Sequence, residues 1–138
     1  MVDRESVGRR LQRLGELLAA LEAIRADGEQ AYLAEMQTRL AAERALQLAV
    51  QACIDVAAHL VAELGLRTPE DYRDTFRGLA DEDLLDRDLA QRLGDAAGMR
   101  NILVHEYLEI DPRQVWRALE RLDDLRAFAD AARLAAGV

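Results

Sequence analysis

From Glu29 to Leu64 the chain contains no glycine and no proline. Along this stretch Leu33, Met36, Leu40, Leu46, Val50, Cys53, Ala57, Leu60 and Leu64 recur at helical spacing, and Gly65 supplies a natural C-terminal stop. A helix of that length carries an apolar stripe too long to bury on itself. The stripe must lie against other elements, so the rest of the chain has to provide its partners.

Those partners read as helices too. Ser6 is placed to cap a first helix over 7–26, with Leu11, Leu14, Leu18 and Leu21 on one face and a turn at Asp27-Gly28. Thr68-Pro69-Glu70-Asp71 predicts a short helix capped by Thr68, with Pro69 in its first position, ending near Gly78. The acidic stretch over 80–88 reads as a solvated connection with a cap at Asp81 or Asp86. A further helix is expected from about 87 to about 109. Asp111-Pro112 starts the last, with Val115, Leu119, Leu122, Leu125 and Ala129 along one side. The expected fold class is all-α: a single domain over 1–138, an up-and-down bundle of four main helices plus a short one. The scarcity of β-branched and aromatic residues agrees.

Composition removes several chemistries. There is no lysine, all 18 basic residues being arginine, so no Schiff-base or general-base lysine exists. Ser6 is the sole serine and sits at a helix start, which argues against a serine-hydrolase triad. HExxH, CxxC and a glycine-rich phosphate loop are all missing, and one cysteine with two histidines is a poor zinc set, so neither metal nor cofactor is expected. Cys53 allows no internal disulfide and fits a reducing compartment. No uninterrupted apolar run approaches the roughly 20 residues that span a bilayer, and the charged opening lacks a signal-peptide core. The expected location is the cytoplasm, with no membrane partner. A net charge of −8 argues against broad, non-specific nucleic-acid binding.

Arg100, Asn101, His105 and Tyr107 fall within eight residues of an otherwise apolar helix. On a helical wheel with Arg100 at the origin, Asn101 lies at about 100°, His105 at about 140° and Tyr107 at about −20°. Asn101 and His105 are i, i+4 neighbours, while Tyr107 stacks two turns along from Arg100. The arc is too wide for one narrow contact, but suits a groove completed by a second copy across a two-fold axis. The residue types suit phosphodiester cleavage. A histidine takes the proton of a ribose 2′-hydroxyl or returns one to the leaving oxygen. An arginine forks onto phosphate oxygens and stabilises the transition-state charge. An asparagine orients the imidazole or binds phosphate, and no metal is required. Taken on geometry alone, the same residues also read as a satisfied polar pair or an interface contact.

The pattern Arg-x4-His-x-Tyr, from Arg100 to Tyr107, resembles the motif of the HEPN superfamily. More closely, the chain is similar to HepT-type toxins over "AAERALQLAVQACIDVAAHLVAELG", "TPEDYRDTFRGLA" and "RLGDAAGMRNILVHEYLEIDPRQVW". The resemblance implies an all-α homodimer with a ribonuclease site in the cleft between protomers, Arg100 and His105 being catalytic. It also implies a minimal nucleotidyltransferase (MNT) antitoxin that transfers AMP from ATP to the motif tyrosine, here Tyr107, and so silences a type VII toxin. The alternative is a non-catalytic helical dimer serving as substrate-binding partner of such a nucleotidyltransferase. The acidic net charge favours it, and the motif residues favour the nuclease.

Other residues carry less. Asp55 and His59 are i, i+4 and offer a hydrogen-bonded pair that either supports a cleft or is plain packing. Cys53 and Trp116 read as core, Tyr32 and Tyr72 have no motif context, and Glu106 points away from His105.

Overall fold

Asp3, not Ser6, opens the first helix: its carboxylate accepts the Ser6 amide at 3.1 Å, and α1 then runs Arg4–Ala26. The computed structural model describes residues 3–138, except the side chain of Tyr107. The other helices are α2 (Glu29–Ala34), α3 (Met36–Glu63), α4 (Tyr72–Asp81), α5 (Arg87–His105), α6 (Pro112–Leu119) and α7 (Leu122–Ala136), with a 3-10 turn over Tyr107–Glu109. No strand occurs among the described residues, so the fold is all-α. The four main helices are α1, α3, α5 and α7. The expected second helix divides at Glu35 (φ −116°, ψ 118°) and the expected last one at Glu120 and Arg121, so three short helices are present rather than one.

The long glycine-free helix is the centre of the molecule, packing against every other helix. By length and composition α3 is apolar enough to cross a bilayer, with a mean hydropathy of 1.6 over its most apolar window. Half of that window is buried inside the bundle, which is how the core helix of a packed protein reads. It ends as its glycine predicts: Gly65 has a φ of +68°, and the amides of Leu66 and Gly65 return to the carbonyls of Val61 and Ala62 at 3.0 and 3.3 Å. These two bonds satisfy carbonyls that the helix end otherwise leaves open.

Aromatic residues join the helices around this centre to one another. Phe76 of α4 meets Phe128 of α7 edge to face at 5.7 Å, and burying each such ring contributes about 2–3 kcal/mol. Tyr32 of α2 is fully buried against Trp116 of α6, ring centroids 5.4 Å apart. Its hydroxyl donates to the Pro112 carbonyl at 3.1 Å. Burial, reinforced by Glu43, pushes the Tyr32 phenol up to about 12.

The start of α4 departs from the Thr68-Pro69 expectation. Asp71 is the cap, its carboxylate accepting the Asp74 amide at 2.7 Å. The residues before it wrap around the buried Asp74, which accepts the Arg67 guanidinium at 2.6 Å and the Glu70 amide at 3.0 Å. Arg67 also reaches Asp81 at 3.2 Å, and Arg87 reaches Asp81 at the same distance. Asp86, one of the two expected caps, accepts the Leu89 amide at the head of α5.

The Arg67 guanidinium, with the Glu70 amide, holds the Asp74 carboxyl down at about 2. Arg67 and Arg87 hold Asp81 below the ordinary carboxylate range. Both groups bind protons more weakly in the folded than in the unfolded chain. Their stabilisation is therefore complete above the ordinary carboxylate pKa of about 4 and disappears as pH falls towards 2. The melting temperature should decline between pH 5 and pH 2, and Asp74→Asn should lower it at pH 7 while flattening that decline.

Candidate active site

The helix bearing the polar cluster is shorter than its apolar pattern suggests. α5 stops at His105, and Glu106 is its C-cap (φ −119°, ψ 38°), donating its amide to the Ile102 carbonyl at 2.9 Å. The chain then turns through Tyr107–Glu109, with the Glu109 amide on the Glu106 carbonyl at 2.9 Å. The cause lies just downstream. Ile110 (ψ 120°) and Asp111 (ψ 114°) are extended so that Asp111 can cap α6 and Pro112 can take its first turn. A helix running to 109 would leave no room for that reversal. The wheel position given to Tyr107, two turns along from Arg100, therefore has no helical basis. Its backbone lies in the 3-10 turn, and its side chain lies outside the described residues.

Arg100 is half-buried on α5. Its Nη1 donates to Asn101 Oδ1 at 3.0 Å, its guanidinium carbon sits 5.9 Å from the centre of the Tyr72 ring, and its Nε is buried with no hydrogen-bond partner. Asn101 thus serves Arg100. Among the described residues no hydrogen bond joins it to His105, as the i, i+4 spacing had suggested. With Tyr72, Arg73, Gly94 and Gly98, Asn101 lines a groove of about 380 Å³ between α5 and the start of α4. His105 is exposed at the end of α5 and lines a separate shallow pocket of about 240 Å³ with Glu106, Leu108 and Glu109. Within one protomer Asn101, the partner of Arg100, and His105 therefore line different recesses.

Arg100 has no carboxylate partner among the described residues. Arg67, Arg73, Arg87 and Arg92 each hold a carboxylate within 3.2 Å, whereas Arg100 is held by a neutral amide and a ring face. An arginine anchored, among the described residues, by neutral groups keeps its charge available for an incoming anion.

The remaining candidates separate cleanly. Asp55 accepts the Gln51 amide at 2.8 Å instead of pairing with His59, whose Nε2 is buried without a partner. Cys53 is fully buried, and burial pushes its thiol well up, as befits a core residue. Trp116 packs on Tyr32. Tyr72 is the contact that sequence reasoning missed: it stands 28 residues before Arg100, and nothing in its local pattern announces the meeting. A further recess of about 250 Å³ lies elsewhere, with Leu46, Val50, Met99 and Leu125 in its lining, and holds none of the candidate residues.

Comparison with known proteins shows the family. The family model described as ribonuclease HepT-like matches residues 14–132. The tRNA nuclease HepT of Aphanizomenon flos-aquae is 34% identical over 110 residues, covering 80% of this chain and 75% of the relative. The mRNA nuclease HepT of Shewanella oneidensis is 36% identical over 86 residues, covering 62% of this chain and 65% of that protein. Among solved structures, the tri-AMPylated Shewanella oneidensis HEPN toxin in complex with its MNT antitoxin superposes with a TM-score of 0.86 at 27% identity, over 97% of this chain and 99% of the other. A toxin–antitoxin structure with AMP-PNP superposes with a TM-score of 0.83 at 26% identity, over 96% and 99%. The chain belongs to the HepT-like family of HEPN ribonucleases.

Proposed function

We propose that this chain, as a single domain over 1–138, is a metal-independent endoribonuclease toxin whose Arg100 and His105 carry the cleavage. The observation that bears most weight is the arginine on α5 held by an amide and an aromatic ring, with a histidine exposed at the end of the same helix. His105 takes the proton of a ribose 2′-hydroxyl as its oxygen attacks the adjacent phosphorus. The bond to the 5′-oxygen breaks, and that oxygen leaves with the proton handed on by the imidazolium. Arg100 balances the negative charge that builds on the phosphoryl oxygens, and Asn101 steadies the guanidinium. Because Asn101, which holds Arg100, and His105 line different recesses in one protomer, the working site is assigned to a homodimer cleft. There Arg100 and His105 of two copies face a common RNA strand.

Control is assigned to an MNT-type nucleotidyltransferase antitoxin that adds AMP to Tyr107, in a type VII toxin–antitoxin pair of the cytoplasm. The AMPylated Shewanella toxin in complex with its MNT antitoxin supports this reading. A net charge of −8 favours the second reading, a non-catalytic partner of the nucleotidyltransferase. One experiment separates the two. Purified wild-type protein should scatter light as a dimer of the 15.4 kDa chain and cleave RNA in excess EDTA, leaving a 2′,3′-cyclic phosphate. Full-length RNA after prolonged incubation overturns the nuclease reading, and cleavage that EDTA abolishes overturns metal independence.

A further inference from the structure

We infer that Tyr72 is a positioning residue for the reaction, holding the Arg100 guanidinium in its working orientation through the face of its ring. The inference rests on the ribonuclease reading above and deepens it. A guanidinium within about 6 Å of an aromatic centroid is attracted by the ring quadrupole, and the separation here is 5.9 Å. The Arg100 Nε is buried and makes no hydrogen bond. Asn101 engages Nη1 alone. Among the described residues one hydrogen bond to an adjacent side chain is the guanidinium's polar anchor, and the ring face adds a second restraint on its plane.

The choice of partner has a consequence for charge. In this chain the usual way to fix an arginine is a carboxylate, as Asp95 fixes Arg73 at 2.8 Å and Asp124 fixes Arg92 at 3.0 Å. At Arg100 a carboxylate would compete with the phosphate it is meant to receive. An aromatic ring orients the cation without neutralising it. Tyr72 suits the task because it is the first residue of α4, fixed by the Asp71 cap, and it lines the same groove as Asn101. It is also 40% exposed, so the ring borders solvent where a substrate strand approaches.

The test compares three substitutions in the full-length protein: Tyr72→Phe, Tyr72→Leu and Tyr72→Ala. Steady-state cleavage of a short RNA substrate is measured, with melting temperature as the folding control. Loss of the ring should lower kcat by about 5- to 30-fold in both Tyr72→Leu and Tyr72→Ala, with KM changed less than about threefold. Tyr72→Phe keeps the ring face and should recover the rate to within about twofold. Leucine supplies apolar bulk without a π-face, so a Tyr72→Leu protein as fast as Tyr72→Phe overturns the proposal in favour of packing. A Tyr72→Phe protein as slow as Tyr72→Ala overturns it in favour of the hydroxyl. A wild-type protein without cleavage defeats the ribonuclease reading itself, and the role of Tyr72 with it, which is a distinct result from active wild type with an unaffected Tyr72→Leu.

Discussion

His105→Ala and Arg100→Ala should each abolish detectable RNA cleavage while leaving the helical circular dichroism intact. Removing one acid–base group costs about 10²–10⁴-fold in rate, and removing a charge-stabilising donor costs about 10²–10³-fold. Neither substitution disturbs the core. His105 is exposed at the end of α5, and Arg100 is half-buried with a neutral hydrogen-bond partner, so neither loss strands a buried opposite charge. The rate should fall without a matching fall in melting temperature. A His105→Ala protein that cuts at the wild-type rate removes histidine from the mechanism. An Arg100→Ala protein that loses activity only by unfolding removes the role given to the guanidinium.

The second large effect concerns Tyr107. Co-expression with an active MNT-type nucleotidyltransferase should raise the intact mass in multiples of one AMP and silence cleavage. Tyr107→Phe should show neither change and so remain active in the presence of the partner. The added group brings an anionic phosphate two residues from His105, where it competes for the positive charge intended for RNA, and an adenosine that fills space a strand requires. Silencing should therefore act on substrate binding, leaving the circular dichroism of the modified protein unchanged. Added mass that persists in Tyr107→Phe places the switch at another residue.

Much of the fold could be read from local chemistry, because several boundaries are set by it. Asp111-Pro112 starts α6 as expected, and Gly65 closes α3 through the left-handed backbone its spacing promised. Other boundaries depend on contacts made elsewhere. Thr68-Pro69 looks like a helix start, but Asp74 draws Arg67 and Glu70 around itself and moves the cap to Asp71. The division between α6 and α7 at Glu120 and Arg121 carries no glycine or proline to mark it. At the candidate site the residue types were legible and their mutual arrangement was not. The end of α5 is dictated by the extended approach to Pro112, which a wheel drawn from apolar spacing does not register. Tyr72 was invisible because its link to Arg100 exists only once α4 packs on α5.

The connection from α5 to α6 is fastened at both ends. At one, the Glu106 amide is tied to the Ile102 carbonyl; at the other, the Pro112 carbonyl is tied to the buried hydroxyl of Tyr32. Between them runs a short arch whose middle is the turn Tyr107–Glu109. A group added at Tyr107 should therefore alter the turn while these two bonds keep the flanking helices in register. Modification of the turn should then leave the melting temperature of the bundle close to that of the unmodified protein.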